Sequence, residues 1–303
     1  MVMEMQDDNE ILQLGYIRLG VKALDWWREF AELVGFDTAS DAPANELQLR
    51  TDAEREYRFA LVNSGEPGLQ TIGWEVGSAK AMASVRRRLM ALDARFIDVS
   101  RDEKDERKVE DMFAVLDPDG VRNEVYWGPS CALRKPFRSP VGTAFESGPC
   151  GNGHVTMNVA DAPATLKFYL DAMGFRLSDA AWMDGHARVY FLRCNARHHS
   201  YAFAQMPQRP PGTVHVMADL AGLDQLGVVR DRLLGAGMTL NRDLGSHPLD
   251  GVVSIYVATP EGFDFELACG TRFINESTWE ADKFRRNGLA WGHRKPVPTK
   301  GRS

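Results

Sequence analysis

"LDPDGVRNEVYWG" at 116–128 and "ATPEGFDFELACG" at 258–270 are two copies of one pattern, one near the end of each half of the chain. Aligned without gaps, Pro118 meets Pro260, Gly120 meets Gly262, Glu124 meets Glu266 and Gly128 meets Gly270. Pro presets φ and Gly accepts positive φ, so each Pro-x-Gly reads as a turn. The residues after it alternate and read as a strand.

Working outward, the duplication extends over both halves. "LGYIRLGVKALDWWREFAELVGF" (14–36) resembles "GNGHVTMNVADAPATLKFYLDAMGF" (151–175), and "LQTIGWEVGSAKAMASVRRRLMALDARF" (69–96) resembles "PGTVHVMADLAGLDQLGVVRDRLLGAGMTL" (211–240). Each piece reads as a strand followed by an amphipathic helix. The fold class is therefore α+β, with two tandem domains, each of two βαβββ modules curled into an open barrel, because one module cannot bury its sheet alone. The expected boundaries are 12–132 and 148–272, joined by a Pro-, Ser- and Gly-rich linker. Residues 273–303 have no repeat counterpart and read as a tail, packed at first and frayed at its basic end.

The whole chain sets the outer limits. Its 303 residues suit two domains. A net charge of −6 argues against nucleic-acid and anionic-membrane partners, and no apolar run approaches the ~20 residues that span a bilayer. The acidic start, "MVMEMQDDNEILQLG", reads as a short disordered leader on a cytoplasmic protein rather than a secretory signal. Four scattered cysteines without a C-x-x-C pair read as free thiols, so any metal is expected on nitrogen and oxygen. Edge strands and flat barrel faces suggest a homo-oligomer.

Laying one half on the other exposes an asymmetry. All seven histidines lie in the second half, at 154, 186, 198, 199, 215, 247 and 293. His154 falls opposite Tyr16, His199 opposite Tyr57, His215 opposite Gly73, Asp250 opposite Lys108 and Tyr256 opposite Ala114; only Glu266 keeps its identity, as Glu124. A lone strand histidine is ordinarily a hydrogen-bonded core residue. Two histidines and a glutamate on the expected first, second-unit and last strands of one half only, at 154, 215 and 266, read instead as a facial triad, the ligand set of non-haem Fe(II) oxygen chemistry. Glu124, kept in the half without histidines, shows that the position also serves structure.

The stretch "GSHPLDGVVSIYVATPEGFDFE" (245–266) carries Gly-x-His, a spacer, an apolar residue and Tyr, then Thr-Pro-x-Gly and Glu, through His247, Ile255, Tyr256, Thr259, Pro260, Gly262 and Glu266. This resembles the signature of type I extradiol ring-cleavage dioxygenases of the vicinal oxygen chelate superfamily, and the likeness covers about 14–295, including "WGH" at 291–293. The members it most resembles open 2,3-dihydroxybiphenyl, 1,2-dihydroxynaphthalene or steroid-derived catechols. The resemblance implies Fe(II), less often Mn(II), on His154, His215 and Glu266, with a catechol and O2 as substrates. It implies His199 as acid–base catalyst, Tyr256 as hydrogen-bond donor to a substrate oxygen, and Asp250 and His247 as orienting groups. His198, next in the chain to His199, is expected to point outward.

Thr156, Trp182, Phe191 and Leu249 are expected to line the substrate pocket. The scaffold also hosts glyoxalase-type isomerases and metal-free binding proteins, so fold alone does not choose among them. Other features read as bland: "RRR" (86–88) as a solvated helix face, "SRDEKDERKVED" (100–111) as an exposed charged loop, Trp26, Trp27 and Phe30 as packing on their own sheet, and His186 as solvent-exposed.

Overall fold

A computed structural model describes residues 10–130, 136–183, 187–283 and 291–295. His186, Cys131 and residues 1–9 of the expected leader lie outside the described residues. The rest of that leader is not loose: strand β1, Ile11–Val21, begins within it and is almost wholly buried.

Each half forms the two expected βαβββ modules. The first half runs β1, α1 (Leu24–Val34), β2 (Asp37–Thr38), β3 (Glu46–Arg50) and β4 (Phe59–Asn63), then β5 (Gly68–Val76), α2 (Ala79–Ala91), β6 (Phe96–Ile97), α3 (Arg101–Arg107), β7 (Val109–Leu116) and β8 (Arg122–Pro129). The second runs β9 (His154–Asn158), α4 (Ala162–Lys167, continued by a π-turn at Phe168–Ala172), β10 (Arg176–Met183), β11 (Ala187–Arg193) and β12 (Tyr201–Ala204), then β13 (Gly212–Leu220), α5 (Leu223–Gly235), β14 (Leu240–Ser246), β15 (Val253–Ala258) and β16 (Asp264–Cys269). The strand orders β2-β3-β4-β1-β5-β8-β7-β6 and β10-β11-β12-β9-β13-β16-β15-β14 are the same order used twice. The tail adds a short strand, β17 (Trp291–Gly292), to the edge at β14.

Pairing register corrects one of the sequence equivalences. Gly73 pairs with Tyr16 and Glu124, and Met217 pairs with His154 and Glu266. Gly73 therefore matches Met217, and His215 matches Thr71 rather than Gly73. The unequal lengths of the two aligned stretches had slipped the comparison by two residues. Two residues is one full pleat, so the facing survives the slip.

The charged stretch at 100–111 is not an exposed loop. Ser100 and Glu103 form a reciprocal capping box that starts α3. The helix delivers a buried Arg107 to the interior of the first barrel. "RRR" is only partly solvated: Arg88 donates to Ala172 O of the other half at 2.9 Å, and Arg86 lies over Phe96.

The helix α1 packs on β3 and β4 of its own sheet, as expected, and its aromatic residues make a further contact. Trp27 and Phe30 are fully buried, but they reach across to the second half, with ring centroids 6.0 and 5.1 Å from Phe265. Phe36 and Phe59 close on the same ring. One hydrophobic core thus runs through both halves. Cys150, Cys194 and Cys269 are unpaired, and no helix among the described residues is long and apolar enough to cross a membrane.

Candidate metal centre

Three neighbouring strands of the second sheet aim the triad. His154 and Glu266 both pair with Met217 from opposite sides of β13, and His215 stands two residues earlier on β13, on the same face. The two Nε2 atoms are 3.0 Å apart, and each is 3.2 Å from Glu266 Oε2. Their ligand atoms all lie within 4.8 Å of one another, so the group can hold a metal ion.

The chemistry of the donors fits a cation. Burial pushes the His215 imidazole down to about 3, with His154 adding to the effect and Glu266 opposing it. Burial alone would raise Glu266, but the hydrogen bond from His154 and the charges of both histidines outweigh it and hold the carboxyl well below the usual range. The two directions favour a neutral His215 imidazole and an ionised Glu266 carboxylate, the ligand forms of those side chains. Lone pairs converging at these distances repel unless a cation or a proton sits among them. Glu266 Oε1 is buried without a hydrogen-bond partner, a further acceptor available to a cation.

Around the triad the structure gathers almost every histidine of the chain. His199 stacks near His154, with centroids 4.1 Å apart, and burial followed by the neighbouring histidines holds its imidazole well below the ordinary value. Tyr256 lies edge-on to His215 and pairs with Glu266 across β15 and β16, and its Oη is 2.9 Å from His247 Nε2. Burial, then the Glu266 charge, raises the Tyr256 hydroxyl well above the phenol range, so it stays a donor. Asp250 is buried and accepts from Val252 N at 3.3 Å.

The pocket candidates divide. Phe191 stands edge-on to His199 at 5.0 Å. Thr156 shares the face of His154, two residues along β9, and pairs with His215. Leu249 is buried beside Asp250, and its carbonyl accepts from Arg272 at 2.6 Å. Trp182 lies toward the end of β10, 39% exposed, three residues beyond Asp179.

Two parts of the cluster were not anticipated. His198 does not point outward: it is fully buried behind His199, with the two Nδ1 atoms 3.0 Å apart. The strand ends at Arg193, so 198 and 199 lie in a turn where strand alternation no longer applies. His293 stacks on His247 at 4.6 Å and stands edge-on to Tyr256 at 5.3 Å. Gly245 makes that possible, because a Cβ there would meet the His293 ring at 2.4 Å. The "WGH" in the tail and the Gly two residues before His247 were the available signals.

The first half holds the same position in another state. Tyr16 takes the place of His154, its ring lying over Gly73, and donates to Glu124. Arg107 donates to Glu124 at 3.0 and 3.3 Å and Arg122 at 2.7 Å. Guanidinium groups here neutralise the carboxylate.

Comparison with known proteins agrees with this geometry. Residues 151–267 match the Glyoxalase/Bleomycin resistance protein/Dioxygenase superfamily, and residues 14–65 match the first domain of dihydroxybiphenyl dioxygenase. The chain is 32% identical to the iron-dependent extradiol dioxygenase of Rhodococcus jostii over 93% of its own length and 97% of the relative's. It is 33% identical to the 3-methylcatechol 2,3-dioxygenase of Pseudomonas putida, over 95% and 99%. The crystal structure of a halotolerant catechol dioxygenase superposes with a TM-score of 0.88 at 26% identity, covering 96% of each chain. Identity at this level along nearly the whole length, on a twice-used βαβββ scaffold, shows that the chain belongs to the extradiol ring-cleaving dioxygenases.

Proposed function

We propose that the chain opens the ring of a catechol-type aromatic diol by the extradiol route, with O2 as co-substrate, at an Fe(II) ion on His154, His215 and Glu266. The observation that carries this reading is the convergence of those three ligands with the His199 ring packed against His154. An Fe(II) ion in that triad supplies Lewis acidity toward the diol oxygens and one-electron chemistry toward O2. The iron dependence named for the R. jostii relative favours iron over manganese.

The chain's own residues supply binding and proton handling. His199, whose Nδ1 is engaged by His198, takes the proton of a diol hydroxyl at Nε2 and returns it to the departing oxygen. Tyr256, oriented by His247, donates its Oη proton to a substrate oxygen, and Asp250 orients that neighbourhood. Phe191 and Leu249 form apolar walls that exclude water, with Thr156 and Trp182 toward the substituent of the ring. We assign catalysis to residues 148–272, a structural role to 12–132, and a bracing role to the tail at 273–303.

The test is direct. Protein purified without air, loaded with Fe(II) and mixed with aerated catechol, 3-methylcatechol, 2,3-dihydroxybiphenyl and 1,2-dihydroxynaphthalene should give a yellow ring-opened product. The expectation is that the two-ring diols turn over best. Absence of ring opening with every diol, at full iron occupancy, would sink the reading. His199→Gln should keep its iron and lose about two to four orders of magnitude in kcat.

A further inference from the structure

Behind His199 runs a buried chain of polar groups that the proposed reaction does not yet use. His198 Nε2 lies 2.8 Å from Asp179 Oδ2, and His198 Nδ1 lies 3.0 Å from His199 Nδ1. Asp179, His198 and His199 are all at most 3% exposed. The other oxygen of Asp179 is committed as well, since Asp282 N donates to Oδ1 at 2.5 Å. Asp282 belongs to the tail, which pairs back onto β10: Ala180 N donates to Asp282 O at 2.8 Å and Trp279 Nε1 to Ser178 O at 2.9 Å. The Trp279 ring stands edge-on to His198.

Ring-proton positions follow from donor and acceptor roles. A carboxylate oxygen accepts, so His198 carries its proton on Nε2. In the neutral His198 ring Nδ1 is then a lone pair, and the proton between the two rings belongs to His199 Nδ1. A His199 ring with its proton on Nδ1 presents a lone pair at Nε2. We propose that Asp179, clamped by the C-terminal segment at 279–282, is a positioning residue that fixes the tautomer of His199 through His198, so that His199 Nε2 is ready to accept a substrate proton. The proposal rests on the reading of His199 as the acid–base group.

Substitution of one atom reverses the chain. In Asp179→Asn the backbone N–H of Asp282 still requires an oxygen, which leaves the amide NH2 facing His198. His198 Nε2 must then accept, its Nδ1 must donate to His199 Nδ1, and His199 is left with its proton on Nε2. Size and packing are unchanged, so fold and metal binding are retained.

Two measurements test this. The first is 15N NMR of the imidazole nitrogens in the Zn(II)-loaded protein, which requires no turnover. The wild type should show His199 protonated on Nδ1 and Asp179→Asn should show it on Nε2; the same His199 tautomer in both proteins overturns the proposal. The second is a kinetic cycle with Fe(II) and whichever diol the wild type turns over. Asp179→Asn should lower kcat by about 100-fold or more with KM changed only a few-fold, the size expected of a misplaced acid–base group. In the His199→Gln background the same change should have almost no effect, because coupled residues are not additive. Equal losses in both backgrounds would make Asp179 merely structural. A wild type without ring cleavage would defeat the proposed reaction yet leave the NMR comparison intact.

Discussion

Glu124 and Glu266 sit at one position of a duplicated scaffold, each among donors that balance its charge, and the nature of those donors separates the two barrels. Glu266 faces two imidazoles, which release a proton and bind metal; Glu124 faces Arg107 and Arg122, which stay charged. Their substitutions should differ accordingly. Glu266→Ala should lose iron, measured by metal analysis of the purified protein, while circular dichroism and chromatographic behaviour stay those of the wild type. Full iron occupancy in that variant would remove Glu266 from the site. Arg107→Ala should leave iron content alone but destabilise by about 3–5 kcal/mol, because it strands part of a buried charge; urea unfolding reads the loss. The convergence of His154, His215 and Glu266 was legible because the repeat supplied an internal control. His198 was not, because its direction depends on where β11 stops, and composition gives no mark for that end.

Elements were legible wherever local chemistry dictates them. The Asp-Pro-Asp-Gly and Thr-Pro-Glu-Gly turns both form, with Asp117 Oδ1 accepting from Asp119 N and Val121 N, and Thr259 Oγ1 donating to Phe263 O. The Ser100-x-x-Glu103 pattern before α3 was an equally local signal, masked by the density of charge around it. The turn at Asp117 carries a pH-dependent cost. Burial raises its carboxyl from 3.8 to about 6, with the nearby Asp119 charge adding to the effect against its backbone hydrogen bonds. A folded-state value above the unfolded one means stability is fully present below about pH 4 and is lost as pH rises through about 6. Asp117→Asn keeps the acceptor for the turn and removes the titration. Its unfolding free energy relative to wild type should therefore improve by about 2 kcal/mol between pH 4 and pH 7, as read from urea titrations at each pH. A difference independent of pH would show that Asp117 does not titrate in this window.

At the scale of the molecule, the two barrels look alike in strand order but hold different charges at their centres. The proposed site therefore predicts one iron per chain. The first half offers Tyr16, Thr71 and an already neutralised Glu124 where the second offers His154, His215 and Glu266. Iron titration under argon should saturate at one equivalent, and saturation at two would overturn the assignment of the first half as structural. That α1, besides packing on its own sheet, also reaches the other half was not legible in its sequence. A 3.6-residue period marks an apolar face but carries no address for the surface it meets, and Trp27 and Phe30 meet Phe265 of the other half.

That shared aromatic cluster also sets a schedule for synthesis. Phe265 follows Phe30 by about 235 residues, so at roughly 5–20 residues per second a ribosome needs on the order of 10–50 s to deliver the ring that covers α1. Through that interval the first half has strands enough to close its own sheet, yet Trp27, Phe30 and Phe36 have no partner from 263–265. The nascent chain thus carries this aromatic face without its final cover until late in translation.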